Sequence, residues 1–336
     1  MKSAVGDLSR NLQLRLAQAN AKQRINRLTV EQASGVKADI SQHLRGDLTR
    51  LSHMQTRLDA VQTWRENTTE LGQALNLVQD SLKFIQDQAN AFGAGLIIEA
   101  ETADPAILQM RADAAQTSFA GIFARLNSEL AGKFLFAGTR SDTPALADFD
   151  TFTTALNSHL AGATNVADVI ARIDQWFDAP PGTGGFLDIG YLGGEAAGAG
   201  MLVDDNTAMG NMLTAADPEF RELFKGFAML SSGARAAVAG NTGALRELVS
   251  AAGGKLHAVE KLLTVARAGV GDQQARVQSL AQRHDEEIAQ IRKSRSDLIG
   301  ADPYETAVAL QEAETAMQTI YMMTARLSRL KLTDYL

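Results

Sequence analysis

The sequence predicts a mainly α-helical protein, an elongated antiparallel helical rod with coiled-coil terminal helices and a small α+β insertion at the tip. Three observations carry that expectation. Two long heptad seams lie far apart in the chain, one between Leu44 and Phe92 and one between Val249 and Leu298. Apolar residues make up 45% of the chain but aromatics only 6%, a mix that suits helices packed through small side chains better than a thick globular core. Between the seams, from Lys133 to about Asp205, the heptads stop and Gly, Pro, Thr and Asp rise.

Each element follows from its residues. An amphipathic helix is expected over Leu8 to Leu28, closing before Gly35. The first seam then runs Val61, Trp64, Thr68, Leu71, Leu75, Val78, Leu82, Ile85, Ala89 and Phe92, its steps alternating three and four residues. Leu44, Leu48, Leu51, Met54 and Leu58 extend it upstream with one stammer. Gly93 and Gly95 are expected to end it.

Asp104-Pro105 pairs an N-cap residue with proline at the first helical position, and opens a helix with Leu108, Ala112, Ala115, Phe119, Ile122, Leu126 and Leu130 on one face. Lys133–Gly138 reads as a strand entering a turn, with Phe134 and Phe136 on the same side. Next come a short helix over Val166–Phe177, a loop over Pro180–Gly185 and a second strand over Leu187–Leu192. Asp217-Pro218 repeats the capping signal ahead of Phe220, Leu223, Phe224 and Phe227.

The second seam places Val249, Leu256, Leu263, Val270, Val277, His284, Ile291 and Leu298 seven apart. Gly253-Gly254 predicts a break near its start, since each glycine costs about 1 kcal/mol against alanine inside a helix. Gly300 and Pro303 close it, and Leu310, Ala313, Met317, Ile320, Thr324 and Leu327 form a last heptad segment. The terminal segments expose seams whose partner is either each other or a neighbouring molecule. The organisation expected is a helical assembly module from residues 1–44 and 301–336, rod helices over 45–138 and 206–300, and an insertion over 139–205.

Chemistry is sparse. A formal net charge of -7 argues against nucleic acid as the main partner, because phosphate recognition needs a dense basic face. Cysteine is absent, so disulfides and thiolate metal sites are excluded. The N-terminus has no apolar signal-peptide core, and no run approaches the ~18 apolar residues of a membrane span. His257/Glu260 and His284/Glu287 give His-x-x-Glu spacings on helices, which read as polar residues in or beside the seam, with His284 placed to fix register. Asp204-Asp205-Asn206 lacks the alternation of a calcium loop and reads as a solvated turn. The glycine-rich stretches match neither a Walker loop nor a dinucleotide fingerprint, and Gly-x-Ser-x-Gly is absent. No catalytic residue, cofactor or metal is expected.

Several segments carry a family resemblance. Lys133-Phe134-Leu135-Phe136-Ala137-Gly138-Thr139-Arg140-Ser141-Asp142-Thr143-Pro144 resembles a turn motif of the flagellin family, in the form found in hook-associated proteins on the filament side of the hook–filament junction. Gly269–Val277 is similar to a flagellin segment built on Gly-Ala-x-Gln-Asn-Arg, and Asp297–Asp302 to the polar break before that family's last helix. Leu327–Leu336 is similar to the family ending, departing from it at Lys331 and Thr333.

The resemblance spans almost the whole chain. It implies an extracellular structural subunit of the bacterial flagellum, exported unfolded by the flagellar type III route without a cleaved Sec signal. The implied partners are other copies of the chain, the adjacent hook-associated protein, flagellin and a cytoplasmic export chaperone. The implied role is to join hook to filament. Leu8, Leu12, Leu310, Met317, Ile320 and Leu327 are the expected assembly contacts, and Phe134, Phe136, Gly138, Asp142 and Pro144 mark the motif turn. Two alternatives stay open. One is a minor filament flagellin, although Gly35–Ser41 lacks the Ser- and Asp-rich stretch those proteins carry after the first helix. The other is a soluble coiled-coil scaffold.

Overall fold

A computed structural model describes residues 2–195 and 200–333, with side chains described outside 2–8, 11 and 327–333. The chain begins with α1 (Lys2–Ser34), the single turn α2 (Ile40–His43), α3 (Thr49–Thr102) and α4 (Pro105–Leu126). The strands β1 (Glu129–Leu130) and β2 (Lys133–Phe134) follow, then α5 (Phe149–Leu160), α6 (Val166–Asp178) and α7 (Phe186–Ile189). After β3 (Met201–Asp204) and β4 (Thr207–Met209) come α8 (Pro218–Ala228), α9 (Ser232–Ala237), α10 (Thr242–Ile299) and α11 (Pro303–Thr333). The fold is mainly α, with two small antiparallel sheets, β1-β2 and β3-β4. Two compact units form, one from residues 63–284 and one from residues 1–62 with 285–336.

In the 63–284 unit the seam of α3 is buried as its spacing requires. Leu71, Leu75, Val78, Leu82, Ile85, Ala89 and Phe92 are all at most 5% exposed, and the stripe continues through Leu96 and Ala100. Thr68 and Ser81 are also buried, their hydroxyls donating to the carbonyls of Trp64 (2.6 Å) and Leu77 (2.8 Å) one turn back. On α10, Val249, Leu256, Leu263, Val270, Val277 and His284 are buried. The two helices run antiparallel. Gln274 Nε2 donates to Asn76 Oδ1 at 2.7 Å and Gln86 Nε2 to Thr264 Oγ1 at 3.0 Å, and further along Gly93 meets His257.

The glycines overturn two expectations. Helix α3 does not stop at Gly93 and Gly95, and α10 passes through Gly253-Gly254 unbroken. Gly93 and Gly253 are where the two backbones touch. A Cβ on Gly253 would lie 2.9 Å from the Gly93 carbonyl oxygen and 3.0 Å from the Ile97 nitrogen, and one on Gly93 would lie 3.1 Å from the His257 backbone. These glycines serve close approach, and their helical cost is offset by the packing it permits. What ends α3 is Arg246, whose guanidinium donates to the carbonyls of Ala100 and Ala103, both at 2.7 Å. A cation on otherwise unpaired C-terminal carbonyls is favourable, and Pro105 disfavours helix at the residue before it.

The aromatic side chains, few as they are, gather in one place. Phe119 and Phe123 of α4 pack on Phe149 and Phe152 of α5 and on Phe224 of α8, with ring centroids 4.6–5.7 Å apart. Trp176, Phe177 and Phe186 extend the cluster from α6 and α7. This is a globular core of the kind the low aromatic fraction argued against. Helix α5, unforeseen from the sequence, supplies Phe152, Leu156 and Leu160 to it. The strand expected over Lys133–Gly138 shrinks to Lys133–Phe134, paired with Glu129–Leu130. The strand expected over Leu187–Leu192 is the helical turn α7, followed by a single bridge from Tyr191 to Leu146. Helix α6 covers the expected span and adds Asp178, while α4 ends at Leu126, short of Leu130.

The unit formed by residues 1–62 and 285–336 is organised around two chain breaks. Helix α1 ends at Ser34, and Gly35 takes a φ of +68°, donating to the Glu31 carbonyl at 2.9 Å. Helix α10 ends at Ile299, where Gly300 turns toward α11. An antiparallel bridge joins the breaks: Lys37 N donates to Ile299 O and Ala301 N to Gly35 O, both at 2.9 Å. Glu31, only 6% exposed, braces the same corner by accepting from Ala38 N at 3.2 Å, with Lys37 Nζ 3.6 Å away. The seam read upstream as far as Leu44 is interrupted, because Arg45 and Gly46 turn with positive φ before α3 starts at Thr49. Asp302 caps α11, its Oδ1 accepting from Tyr304 N at 2.8 Å and Glu305 N at 2.9 Å. Asp302→Ala is expected to destabilise this helix by about 1 kcal/mol, read as lost helical ellipticity on heating with the α3 and α10 signal unchanged.

Candidate functional site

Helices α1 and α11 pack along each other in antiparallel fashion. Gln18 Nε2 reaches Tyr321 Oη at 3.4 Å, and Arg24 lies 3.9 Å from Glu312 nearer the chain breaks. The covered side of α1 carries Leu14, Ala21, Ile25 and Leu28, and that of α11 carries Thr306, Leu310, Ala313, Met317 and Ile320. Both sets follow the three-and-four steps of a heptad seam.

One seam does not use up the apolar side chains of these helices. Leu12 is 60% exposed, Leu16 56%, Tyr321 54%, Met322 59% and Met323 53%. Val30 and Tyr304 are exposed as well. Successive residues point about 100° apart around a helix, so the run Ile320–Met323 covers more of the circumference than one partner helix can bury. A helix pair carrying this much exposed apolar side chain has the character of an interaction surface.

The expected contact residues fall on different sides of this pair. Leu12 is exposed, Leu310 and Ile320 are half-buried, and Met317 is buried within its own unit. The side chains of Leu8 and Leu327 lie outside the described residues, as does the Asp334-Tyr335-Leu336 ending. Leu16, Tyr321, Met322 and Met323 were not among the residues read from the sequence. Their signal was there, in apolar residues that occupy off-seam positions.

The motif turn belongs to the 63–284 unit. Phe134, half-buried on β2, donates its N–H to Ser141 O at 2.8 Å. Phe136 is fully buried edge-on against Phe220 and accepts from Ala215 N at 2.9 Å. Gly138 has a φ of +60°, and a Cβ there would collide with the carbonyls of Gly194 and Glu195. Asp142 and Pro144 are exposed, and Pro144 leads into the buried Ala145–Ala147. The turn is held against the following chain by Gly194 N to Ala137 O (2.8 Å) and Thr139 N to Glu195 O (3.1 Å). Its burial and backbone pairing give it a packing role.

His284 is 4% exposed, and its Nε2 lies 2.9 Å from the Val203 carbonyl of β3, with its ring beside Trp64. A carbonyl can only accept, so Nε2 is the donor and the ring fastens the β3-β4 hairpin to α10. His257 is exposed with Nδ1 3.7 Å from Glu260, and Glu287 takes Arg57 Nε at 2.6 Å. Among the described residues no three His, Asp or Glu side chains are gathered to hold a metal, and no helix is long and apolar enough to cross a membrane. Asp205-Asn206 forms the turn of the β3-β4 hairpin.

Part of this sequence has a counterpart among known protein families. Residues 256–336 match the bacterial flagellin C-terminal helical region. The matched stretch takes in most of α10 and all of α11, including the exposed run Tyr321–Met323. Among solved structures, the chain is similar to a Vibrio parahaemolyticus protein assigned as a flagellar hook-associated protein, with 13% identity over 74% of this chain and 95% of that one and a TM-score of 0.48. No curated protein matches the chain.

Proposed function

We propose that this chain is a structural subunit of the bacterial flagellum, a hook-associated protein that links the hook to the flagellin filament and gives the filament its first layer of contacts. The observation that carries the reading is the α1/α11 pair. It lies partly in the stretch that matches the flagellin C-terminal region, and it leaves Leu12, Leu16, Tyr321, Met322 and Met323 open to neighbours. Such side chains gain about 25 cal/mol per Å2 of apolar surface when a second copy covers them, so assembly has a ready driving force. The Phe134–Pro144 turn supports the junction role within that family. On this reading the protein works outside the cell, having left by the flagellar export route with a chaperone on its C-terminal segment.

Deletion of the gene tests the proposal. Bare hooks with abundant monomeric flagellin in the medium are the expected result, because export continues while nothing nucleates the filament. Bare hooks with little secreted flagellin would assign the chain to the filament itself, as a flagellin. Normal filaments would remove the flagellar reading and leave the coiled-coil scaffold.

A further inference from the structure

Met322 and Met323 lie side by side on α11, more than half exposed, in the run that the proposed role turns toward neighbouring molecules. The chain has no cysteine, so its thioethers are where a peroxide can deliver an oxygen atom to sulfur. Burial sorts the methionines. Met229 and Met317 are buried, while Met54, Met201 and Met209 are half-buried. Met110, Met212, Met322 and Met323 are exposed. Met110 and Met212 belong to the 63–284 unit, so Met322 and Met323 are the exposed thioethers among the described residues of the α1/α11 pair. Met317, whose sulfur packs within that pair, is covered. An oxidant in solution therefore meets the outward sulfurs and leaves the inward one, and the surface can change its polarity while the helix pair keeps its seam.

We propose that Met322 and Met323 form a reversible oxidation site, at which a peroxide converts both thioethers to sulfoxides and so blocks the contact of this surface with a second copy of the chain. The proposal rests on the assembly reading above.

In each step a sulfur lone pair attacks one oxygen of the peroxide. An S–O bond forms as the O–O bond breaks. With hydrogen peroxide, the departing hydroxide takes up the proton of the transferred oxygen and leaves as water. The sulfur is oxidised by two electrons and the peroxide is reduced by two. In the free subunit the new oxygen is hydrated, because both side chains already face water. A second copy would take that water away. The backbone N–H groups of an approaching helix are already committed to its own carbonyls, and its apolar side chains offer no donor. The sulfoxide oxygen would then be buried unpaired, which costs far more than the thioether did. Methionine sulfoxide reductases return the sulfur to its first state, so the block can be lifted.

Sedimentation velocity of the full chain over a range of concentrations tests this, before and after hydrogen peroxide, with peptide mass mapping of every methionine. The untreated chain is expected to self-associate. The treated chain should carry one added oxygen on each of Met322 and Met323, keep its helical ellipticity and associate about tenfold more weakly, as a buried unpaired acceptor predicts. Reductases for both sulfoxide epimers should restore the association. Met322→Leu combined with Met323→Leu keeps the volume and removes both sulfurs. That variant should associate like the parent and continue to do so after peroxide, although Met110 and Met212 still gain oxygen. Met322→Gln combined with Met323→Gln, a fixed polar pair, should associate weakly with no oxidant present. An untreated chain that stays monomeric would remove the assembly reading and this inference with it. Association that survives sulfoxides at both positions would overturn the inference alone. So would a leucine variant as peroxide-sensitive as the parent, a glutamine variant that associates normally, loss of ellipticity on oxidation, or sulfurs at 322 and 323 that stay unoxidised.

Discussion

Gly253→Ala is expected to destabilise the 63–284 unit, while Gly254→Ala, one residue along, is expected to stabilise it. On propensity alone both changes should help, by about 1 kcal/mol each, because alanine is the better helix former. Gly254 obeys that rule: it is exposed, and an added Cβ meets nothing within 4 Å. Gly253 does not. Its Cβ would press on the Gly93 carbonyl at 2.9 Å, the Ile97 nitrogen at 3.0 Å and Leu96 Cβ at 3.0 Å. Two of these are backbone atoms of α3, which cannot swing aside as a side chain can. The helices must separate, and the seam from Leu82 to Leu96 loosens with them. Overpacking of this kind costs about 1 to 3 kcal/mol, more than the propensity gain. Gly253→Val adds two further methyl groups and a β-branched residue, and should cost about 3 kcal/mol or more. Urea midpoints at constant m-value read all three. A Gly253→Val protein as stable as the parent, or alanine changes of the same sign at both positions, would refute a contact between the two backbones.

These glycines also mark where the sequence stops being legible. The seam of α3 could be read residue by residue, because three-and-four spacing is a property of one chain and its burial followed. A glycine is ambiguous in one dimension. At Gly35 and Gly300 it marks a chain break, and at Gly93 and Gly253 it marks a helix surface that another backbone approaches. Only the register between α3 and α10 separates the two cases, and register is a three-dimensional fact.

The aromatic core was hidden for a similar reason. A 6% average says nothing about clustering, yet Phe119, Phe123, Phe149, Phe152 and Phe224 converge from three helices. Helix α5 carries its own apolar period in Phe149, Phe152, Leu156 and Leu160, masked by the threonine, serine and aspartate between them. Over Leu187–Leu192 the apolar run was too short for its period to decide between strand and helix. The candidate surface divides in the same way. Heptad logic finds Leu310, Met317 and Ile320, which the α1/α11 pair partly covers itself. Leu16 and Tyr321–Met323 become visible only once that pair has claimed one side of each helix.

Lys225→Met should destabilise the protein at neutral pH, and the loss should shrink in acid. Lys225 is 3% exposed, on α8. Its Nζ lies 2.7 Å from both Asp178 and Glu222 and 3.4 Å from Asp174, while Lys255 of α10 reaches Glu222 at 2.8 Å. The network ties α6, α8 and α10 together, and Arg221 adds a third cation 3.4 Å from Asp178. Burial works against the charge of Lys225, but hydrogen bonds to Asp178 and Glu222, and their charges, outweigh it and hold the amine above its usual range. Burial alone would likewise raise the Glu222 carboxyl, yet hydrogen bonds from Lys225 and Lys255 hold it below the usual value. The signs follow from linkage. The raised amine contributes stability that is complete below the unfolded value of 10.5 and is lost as pH rises through the folded one. The lowered carboxyl contributes stability that is present above the unfolded value of 4.5 and is lost as pH falls through the folded one. Methionine keeps the aliphatic stem but removes the buried cation between the carboxylates, leaving Lys255 beside Asp174 and Glu222 and Arg221 beside Asp178. Removing one partner of a fully buried pair costs about 3 to 5 kcal/mol. These carboxylates are partly solvated, so about 2 kcal/mol is expected at pH 7. As the pH is lowered toward about 3, Glu222 moves toward its neutral form and the repulsion at the site fades, so that difference should shrink. Urea midpoints of parent and variant at the two pH values decide it: a gap that stays constant, or widens in acid, would show that Lys225 acts through its packing and not through its charge.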